Sequence, residues 1–214
     1  MRFPLAFLTA AVFAAPAPAQ VNALISSASG IGTVYSISAR YNNHNSYVHL
    51  ANSDVNGYLV WEADYDPGYD AKPVYLMAAD DGAFILAENR VNGLRAFELL
   101  RYDAQGYMTW RAGYSDTLNN IPVTMAVDYS GNVYAACNVR EDGHYYAALW
   151  KYDGRGVLAW RARYSGGNNT YAHQVLPLFN GNMSFGVSVF GGTEAAGQYE
   201  RRSITYDQFG NEQP

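Results

Sequence analysis

The chain has 214 residues, 49% of them hydrophobic and only 15% charged, with a formal net charge of −5. Its 19 Tyr, 9 Phe and 4 Trp exclude a disordered chain, the negative charge argues against a nucleic-acid binder, and its single cysteine excludes an intramolecular disulfide framework. Length allows one domain or two.

The first segment, residues 1–19, has the form of a secretory signal. Arg2 gives a positive start, an apolar stretch runs from Phe3 to Ala15, and Ala17-Pro18-Ala19 supplies small residues before a cleavage site. Cleavage is expected before Gln20, which predicts a secreted, periplasmic or cell-surface protein. The apolar stretch is well short of the ~20 residues that a spanning helix needs. No later segment is longer, so the protein is not expected to span a membrane.

From about residue 22 onward the chain repeats. Trp61, Trp110 and Trp160 recur at nearly constant spacing, as do Gly32, Gly82, Gly131 and Gly181. Gly57, Gly106 and Gly156 each precede a Trp by the same interval, and Asp54, Asp103 and Asp153 each precede one of those glycines; Asp207 and Gly210 keep the pair in a fourth copy. The units are about 22–65, 72–114, 121–164 and 171–210. The third unit divides most clearly into four strand-like runs, Pro122–Asp128, Asn132–Asn138, Tyr145–Tyr152 and Val157–Tyr164, here called a to d. An Asp opening a tight turn and a Gly closing it mark the c–d hairpins. Run d alternates an apolar face (Leu158, Trp160, Ala162, Tyr164) with a charged one (Arg161, Arg163), as expected of an outer strand. Four strands per ~49-residue repeat predict an all-β fold, a β-propeller of about four blades. The last unit is expected to lack its outer strand, because the position where its Trp is due is Pro214.

The third repeat, with Asp128, Gly131, Asn132, Val133 and Tyr134 followed by Leu149, Tyr152, Asp153, Gly156, Trp160 and Tyr164, resembles the bacterial β-propeller repeat often called SBBP. The second unit keeps Leu99, Arg101, Tyr102, Asp103, Gly106, Trp110 and Tyr114, whereas Ser53 replaces the expected Tyr in the first. The resemblance implies an exported or surface-exposed protein and brings no catalytic residue with it.

Alternating strand direction puts the a–b and c–d turns on one face of the disc and the b–c and d–a connections on the other. The second set is expected to be longer and irregular and therefore to carry any ligand. Candidate binding residues there are Tyr41, His44, Tyr69, Asp70 and Arg90 from the first two units. Asn119, Arg140, His144, Tyr171 and His173 complete the set. The acidic run Asp64–Asp70 reads better as a solvated turn than as a calcium loop, and the histidines lack zinc-site spacing. Neither a cofactor nor a metal is therefore expected. Cys137, mid-strand, reads as a buried inert thiol.

No acid–base pair, nucleophile set or phosphate loop stands out. The leading functional expectation is a binding or interaction module for an unidentified protein or carbohydrate. An enzyme with its site at the channel mouth, a lyase or hydrolase, is the alternative, and a cut-short part of a larger surface repeat protein is the third reading. With three runs in the last unit, the ring is expected not to close tidily, leaving an open arc or two chains pooling their blades as a homodimer.

Overall fold

The structure is a computed structural model and describes residues 25–28, 32–167, 169–191 and 197–214. The expected signal segment with its cleavage site, the start of the first run and part of the 190–198 connection lie outside the described residues. The chain forms four antiparallel four-stranded sheets, each an up-and-down meander. Sheet 1 holds β1 (Ile25–Ala28), β2 (Thr33–Tyr41), β3 (Ser46–Asp54) and β4 (Leu59–Tyr65). Sheet 2 holds β5 (Ala71–Ala79), β6 (Gly82–Val91), β7 (Leu94–Asp103) and β8 (Met108–Tyr114). Sheet 3 holds β9 (Asn119–Val127), β10 (Val133–Glu141), β11 (His144–Tyr152) and β12 (Leu158–Tyr164). Sheet 4 holds β13 (Thr170–Pro177), β14 (Met183–Gly191), β15 (Gln198–Tyr206) and β16 (Glu212–Gln213). Each sheet is a propeller blade of the kind the repeat predicts. No helix among the described residues is long and apolar enough to cross a membrane.

Two expectations are corrected. The fourth blade does have an outer strand, although a short one. The Asp207 turn closes as its counterparts do, with Gly210 N–H donating to Asp207 O at 3.1 Å, and this returns the chain so that Glu212 and Gln213 pair with Tyr206 and Thr205. The b–c connections of blades 2 and 3 are not long loops. Asn92-Gly93 (φ 52° and 80°) and Asp142-Gly143 (φ 49° and 82°) make two-residue hairpins. Asn-Gly and Asp-Gly favour this turn because both tolerate positive φ.

The core lies between blades. One apolar cluster joins sheets 1 and 2 through Ile37, Leu50, Ile85 and Leu100. A second joins sheets 2 and 3 through Leu86, Phe97, Val133 and Trp150. A third joins sheets 3 and 4 through Tyr134, Leu149, Phe185 and Ile204. Among the described residues, none of the three contains residues of both sheet 4 and sheet 1, and no backbone ladder joins one sheet to another.

The repeat tryptophans latch adjacent blades together. Trp61 Nε1–H donates to Ala104 O of the next blade's c–d turn at 2.9 Å, Trp110 to Gly154 O at 3.1 Å, and Trp160 to Gln208 O at 2.9 Å. Each ring lies against the glycine of that turn. A Cβ on Gly106, Gly156 or Gly210 would sit 2.8 Å from the tryptophan of the preceding blade. Each indole also packs on an aromatic of its own blade: Tyr35 with Trp61, Phe84 with Trp110, Tyr134 with Trp160.

The face of sheet 4 turned away from sheet 3 departs from this pattern. Where sheets 1 to 3 place Tyr35, Phe84 and Tyr134, sheet 4 places Ser184; where they place Ile37, Leu86 and Ala136, it has Gly186. On the neighbouring strand, Leu50, Leu99 and Leu149 give way to Ser203. Ser184 and Ser203 hydroxyls bond each other at 2.7 Å on this surface.

Candidate functional site

Two neighbouring cavities open on the face that carries the d–a connections. The first has a volume of about 280 Å³ and lies between blades 2 and 3. Tyr114 at the end of β8 and Trp150 on β11 pack together as one aromatic wall, with ring centroids 5.2 Å apart. Asn120 on β9 lines it with its backbone neighbour Val139, and Arg161 lies at its rim. Such a volume is just below the range of ligand clefts, which runs from ~300 to ~1,000 Å³.

Its polar groups are incompletely satisfied. Asn120 is fully buried, and its Nδ2 donates to Asp116 Oδ1 at 2.7 Å and to Leu118 O at 3.2 Å. The carboxylate fixes the amide orientation, because only the NH₂ side can face it. Among the described residues, Asn120 Oδ1 and the indole Nε1 of buried Trp150 have no hydrogen-bond partner. Buried polar atoms are seldom left so, since each unpaired group costs on the order of 1–3 kcal/mol. Arg161 steadies the wall by donating to the Tyr114 hydroxyl. Arg163, also at the rim, is paired with Glu141 at 2.6 Å.

The second cavity, about 250 Å³, lies on the other side of Tyr114. Tyr69 and Phe97 line it, together with Asn89 and Glu98. Glu98 accepts from the Tyr65 hydroxyl and from Asn89 Nδ2, the latter at 2.7 Å. Burial, then the bond to Glu98, pushes the Tyr65 hydroxyl well above the usual tyrosine range, so it stays protonated and acts as a donor.

Of the residues singled out in the sequence, Tyr69 lines this second cavity; the other nine lie outside both linings. Asp70 ends the β4–β5 connection, where it accepts from Ser46 N and Oγ, both at 2.9 Å; these bonds hold its carboxyl below the ordinary range. Asp66 accepts from Gly68 N, Asn45 and Asn42, so this acidic run is a hydrogen-bonded turn. Among the described residues no cluster suited to a metal ion is found. Tyr41 and His44 lie exposed at the β2–β3 turn. Arg90 is exposed at the end of β6 and donates its backbone N–H to Asp70 O at 2.9 Å. Asn119 Oδ1 accepts from Arg95 N at 3.0 Å. Arg140 lies over the Tyr145 ring, beside His144 at the start of β11. Tyr171 joins Tyr145 and Tyr199 in a ring cluster, and His173 sits exposed at a bulge in β13.

Sequence reasoning passed over Asn120, Trp150, Asn89 and Glu98, which read as ordinary strand residues. A possible signal was polar Asn and Glu inside otherwise apolar runs. It also passed over the opposite face, where Tyr129 (83% exposed) and Phe179 (96% exposed) stack with centroids 5.9 Å apart.

The fold defines a β-propeller-type chain with small clefts beside its inter-blade seams. No family model matches the chain, and no curated protein does. Among solved structures it is similar to a subtype N11 neuraminidase-like protein of a flat-faced bat strain (H18N11), with 15% identity and a TM-score of 0.45 over 81% of this chain and 57% of that one. It is also similar to an endo-arabinase from Bacteroides thetaiotaomicron, with 10% identity and a TM-score of 0.45 over 89% of this chain and 78% of that one. A mannose phosphorylase from Leishmania mexicana gives 10% identity and a TM-score of 0.41 over 82% of this chain and 60% of that one. The chain spans less than two thirds of the neuraminidase-like protein and of the phosphorylase.

Proposed function

We propose that this protein is an exported binding module whose cleft between blades 2 and 3 holds one ring of a neutral, hydroxyl-rich carbohydrate. The supporting observation is that Trp150 and Asn120, which line one cavity with Tyr114, each carry a buried polar atom, Nε1–H and Oδ1, without a partner among the described residues. The aromatic wall matches the apolar face of a sugar, and a shift of the wall that uncovers the two polar atoms would let them meet its hydroxyls. Export rests on the residue 1–19 segment, and membership of the SBBP-type repeats rests on the motif in the second and third units.

The test is titration of the exported protein with neutral monosaccharides, followed by the Trp150 indole N–H resonance. Trp150→Phe keeps the wall and removes the donor, so binding should fall about tenfold, the effect of one lost hydrogen bond near 1.4 kcal/mol. Saturable binding that Trp150→Phe leaves unchanged would refute the site.

A further inference from the structure

We propose that the face formed by the a–b and c–d turns is a docking surface for a basic protein partner, one whose Lys and Arg side chains are interspersed with apolar ones. This face lies opposite the d–a connections, and the inference stands apart from the carbohydrate reading.

The same turn is built repeatedly on this face, beginning at Asp54, Asp103, Asp128, Asp153, Leu178 and Asp207. In each copy the first residue donates its N–H to the carbonyl four residues on, at 2.8–3.0 Å, and the glycine between them donates back to the first residue's carbonyl. Matching geometry allows the side chains to be compared position by position. Second in the turn, two copies carry Tyr129 and Phe179, where others carry Ala104, Gly154 or Gln208. Fifth in the turn, three copies carry Tyr58, Tyr107 and Val157, where others carry Asn132, Asn182 or Asn211. Small and polar residues therefore close this turn, and Asn132 and Asn211 even add a bond to its Asp. The turn does not demand the apolar side chains, and they are not buried. Tyr58, Tyr107 and Val157 are 61–74% exposed, and Tyr129 and Phe179, which stack across neighbouring blades, are more so. Among the described residues, only Tyr199 on the opposite face is a large apolar side chain of comparable exposure. Exposed apolar groups gathered on one side mark an interaction surface.

Charge selects the partner. Asp54, Asp103, Asp153 and Asp207 open the c–d turns, and Asp80, Asp81 and Asp128 lie in the a–b turns. The Val157 N–H holds the Asp153 carboxyl below its ordinary range, and Asn211 does the same for Asp207, so both are ionised at neutral pH. Among the described a–b and c–d turns, Arg155 is the one cation, and it lies 3.8 Å from Asp153. Arg101 and Lys151 reach this side from β7 and β11, but both are buried and tied, to Asp81 and to Gln208 O. An acidic excess remains. It repels the same face of a second copy and anionic lipid headgroups, and it attracts Lys and Arg. Those cations also favour the open faces of Tyr and Phe rings.

The experiment titrates the full chain, by calorimetry and by NMR of its tyrosine rings, with peptides of equal length that alternate Arg with Leu, Arg with Ser, or Ser with Leu. The Arg/Leu peptide should bind about tenfold more tightly than either of the others. It should shift the Tyr107 and Tyr129 rings and leave Tyr41, on the opposite face, unmoved. Tyr129→Ser combined with Phe179→Ser should remove most of that gain, and since both side chains are exposed the fold should hold. Tyr41→Ser should change nothing. An Arg/Ser peptide that binds as tightly as Arg/Leu would reduce the effect to general charge attraction and overturn the proposal. Binding to phosphatidylcholine vesicles with no preference for the Arg/Leu peptide would also overturn it, making the face a lipid surface instead.

Discussion

The glycine that closes each c–d turn offers a controlled test of how the blades are held together. Gly57 and Gly106 occupy the same turn in blades 1 and 2, with φ of 85° and 88°. Each donates its N–H to the turn's Asp, Gly57 to Asp54 O at 3.0 Å and Gly106 to Asp103 O at 3.1 Å. Alanine at either position must adopt left-handed backbone, at a cost of about 1–2 kcal/mol. Only the surroundings differ. A Cβ on Gly57 meets nothing within 4 Å, while one on Gly106 would lie 2.8, 2.9 and 3.3 Å from atoms of the Trp61 ring. Pushing that ring aside adds about 1–3 kcal/mol of overpacking and strains the Trp61 bond to Ala104 O. Gly57→Ala should therefore cost about 1–2 kcal/mol, and Gly106→Ala about 2–5 kcal/mol. Urea unfolding followed by tryptophan fluorescence measures both. In a Trp61→Leu background the excess cost at Gly106 should largely vanish, which a double-mutant cycle reads directly. Equal costs at the two glycines, or an excess that survives Trp61→Leu, would refute the latch.

Other outcomes follow from the same geometry. Backbone N–H groups of Val157 and Arg155 hold the Asp153 carboxyl below its ordinary range, and the Asn211 side chain and backbone do the same for Asp207. A depressed folded value means that the stabilisation is present above the unfolded carboxylate value, ~3.9, and is lost as pH falls through the folded one. Melting temperature should drop below about pH 4, and an Asp153→Asn, Asp207→Asn double variant should show a flatter acid limb. Cys137 is fully buried, and burial pushes its thiol well up; a maleimide should label it only in denaturant, and labelling of native protein at the rate of a free thiol would contradict its placement. The exported protein should have the intact mass of Gln20–Pro214, and a mass retaining residues 1–19 would count against cleavage.

The architecture was legible because the repeat wrote it several times over. Trp, Gly and Asp at fixed intervals gave blade number, the strand count of the first three blades and the c–d hairpins, and the Trp–Gly co-occurrence was itself visible, whereas the short β16 was missed. What spacing within one unit did not reveal is that each tryptophan serves the glycine of the following unit, as Trp61 does Gly106. That contact joins residues far apart in sequence, beyond the reach of local periodicity. The b–c connections were misjudged for a simpler reason: Asn92-Gly93 and Asp142-Gly143 are two-residue hairpin signals that were passed over. The cavities were the least legible. Asn120 and Trp150 come from separate strands and matter through atoms left without partners, a property that exists only once the blades have packed.

The serine-lined face of sheet 4 bears on how such an array can grow. A duplicated copy of the second or third unit would carry its own aromatic and leucine face, and the next blade's turn would receive its tryptophan. Inserted in the interior, it would find a matching seam on each side. A blade placed behind sheet 4 would instead meet Ser184, Gly186 and Ser203, with no indole to hold its turn. Lengthening by unit duplication is thus favoured between existing blades and opposed beyond the fourth. Changing that polarity would require several simultaneous substitutions on β14 and β15 rather than one.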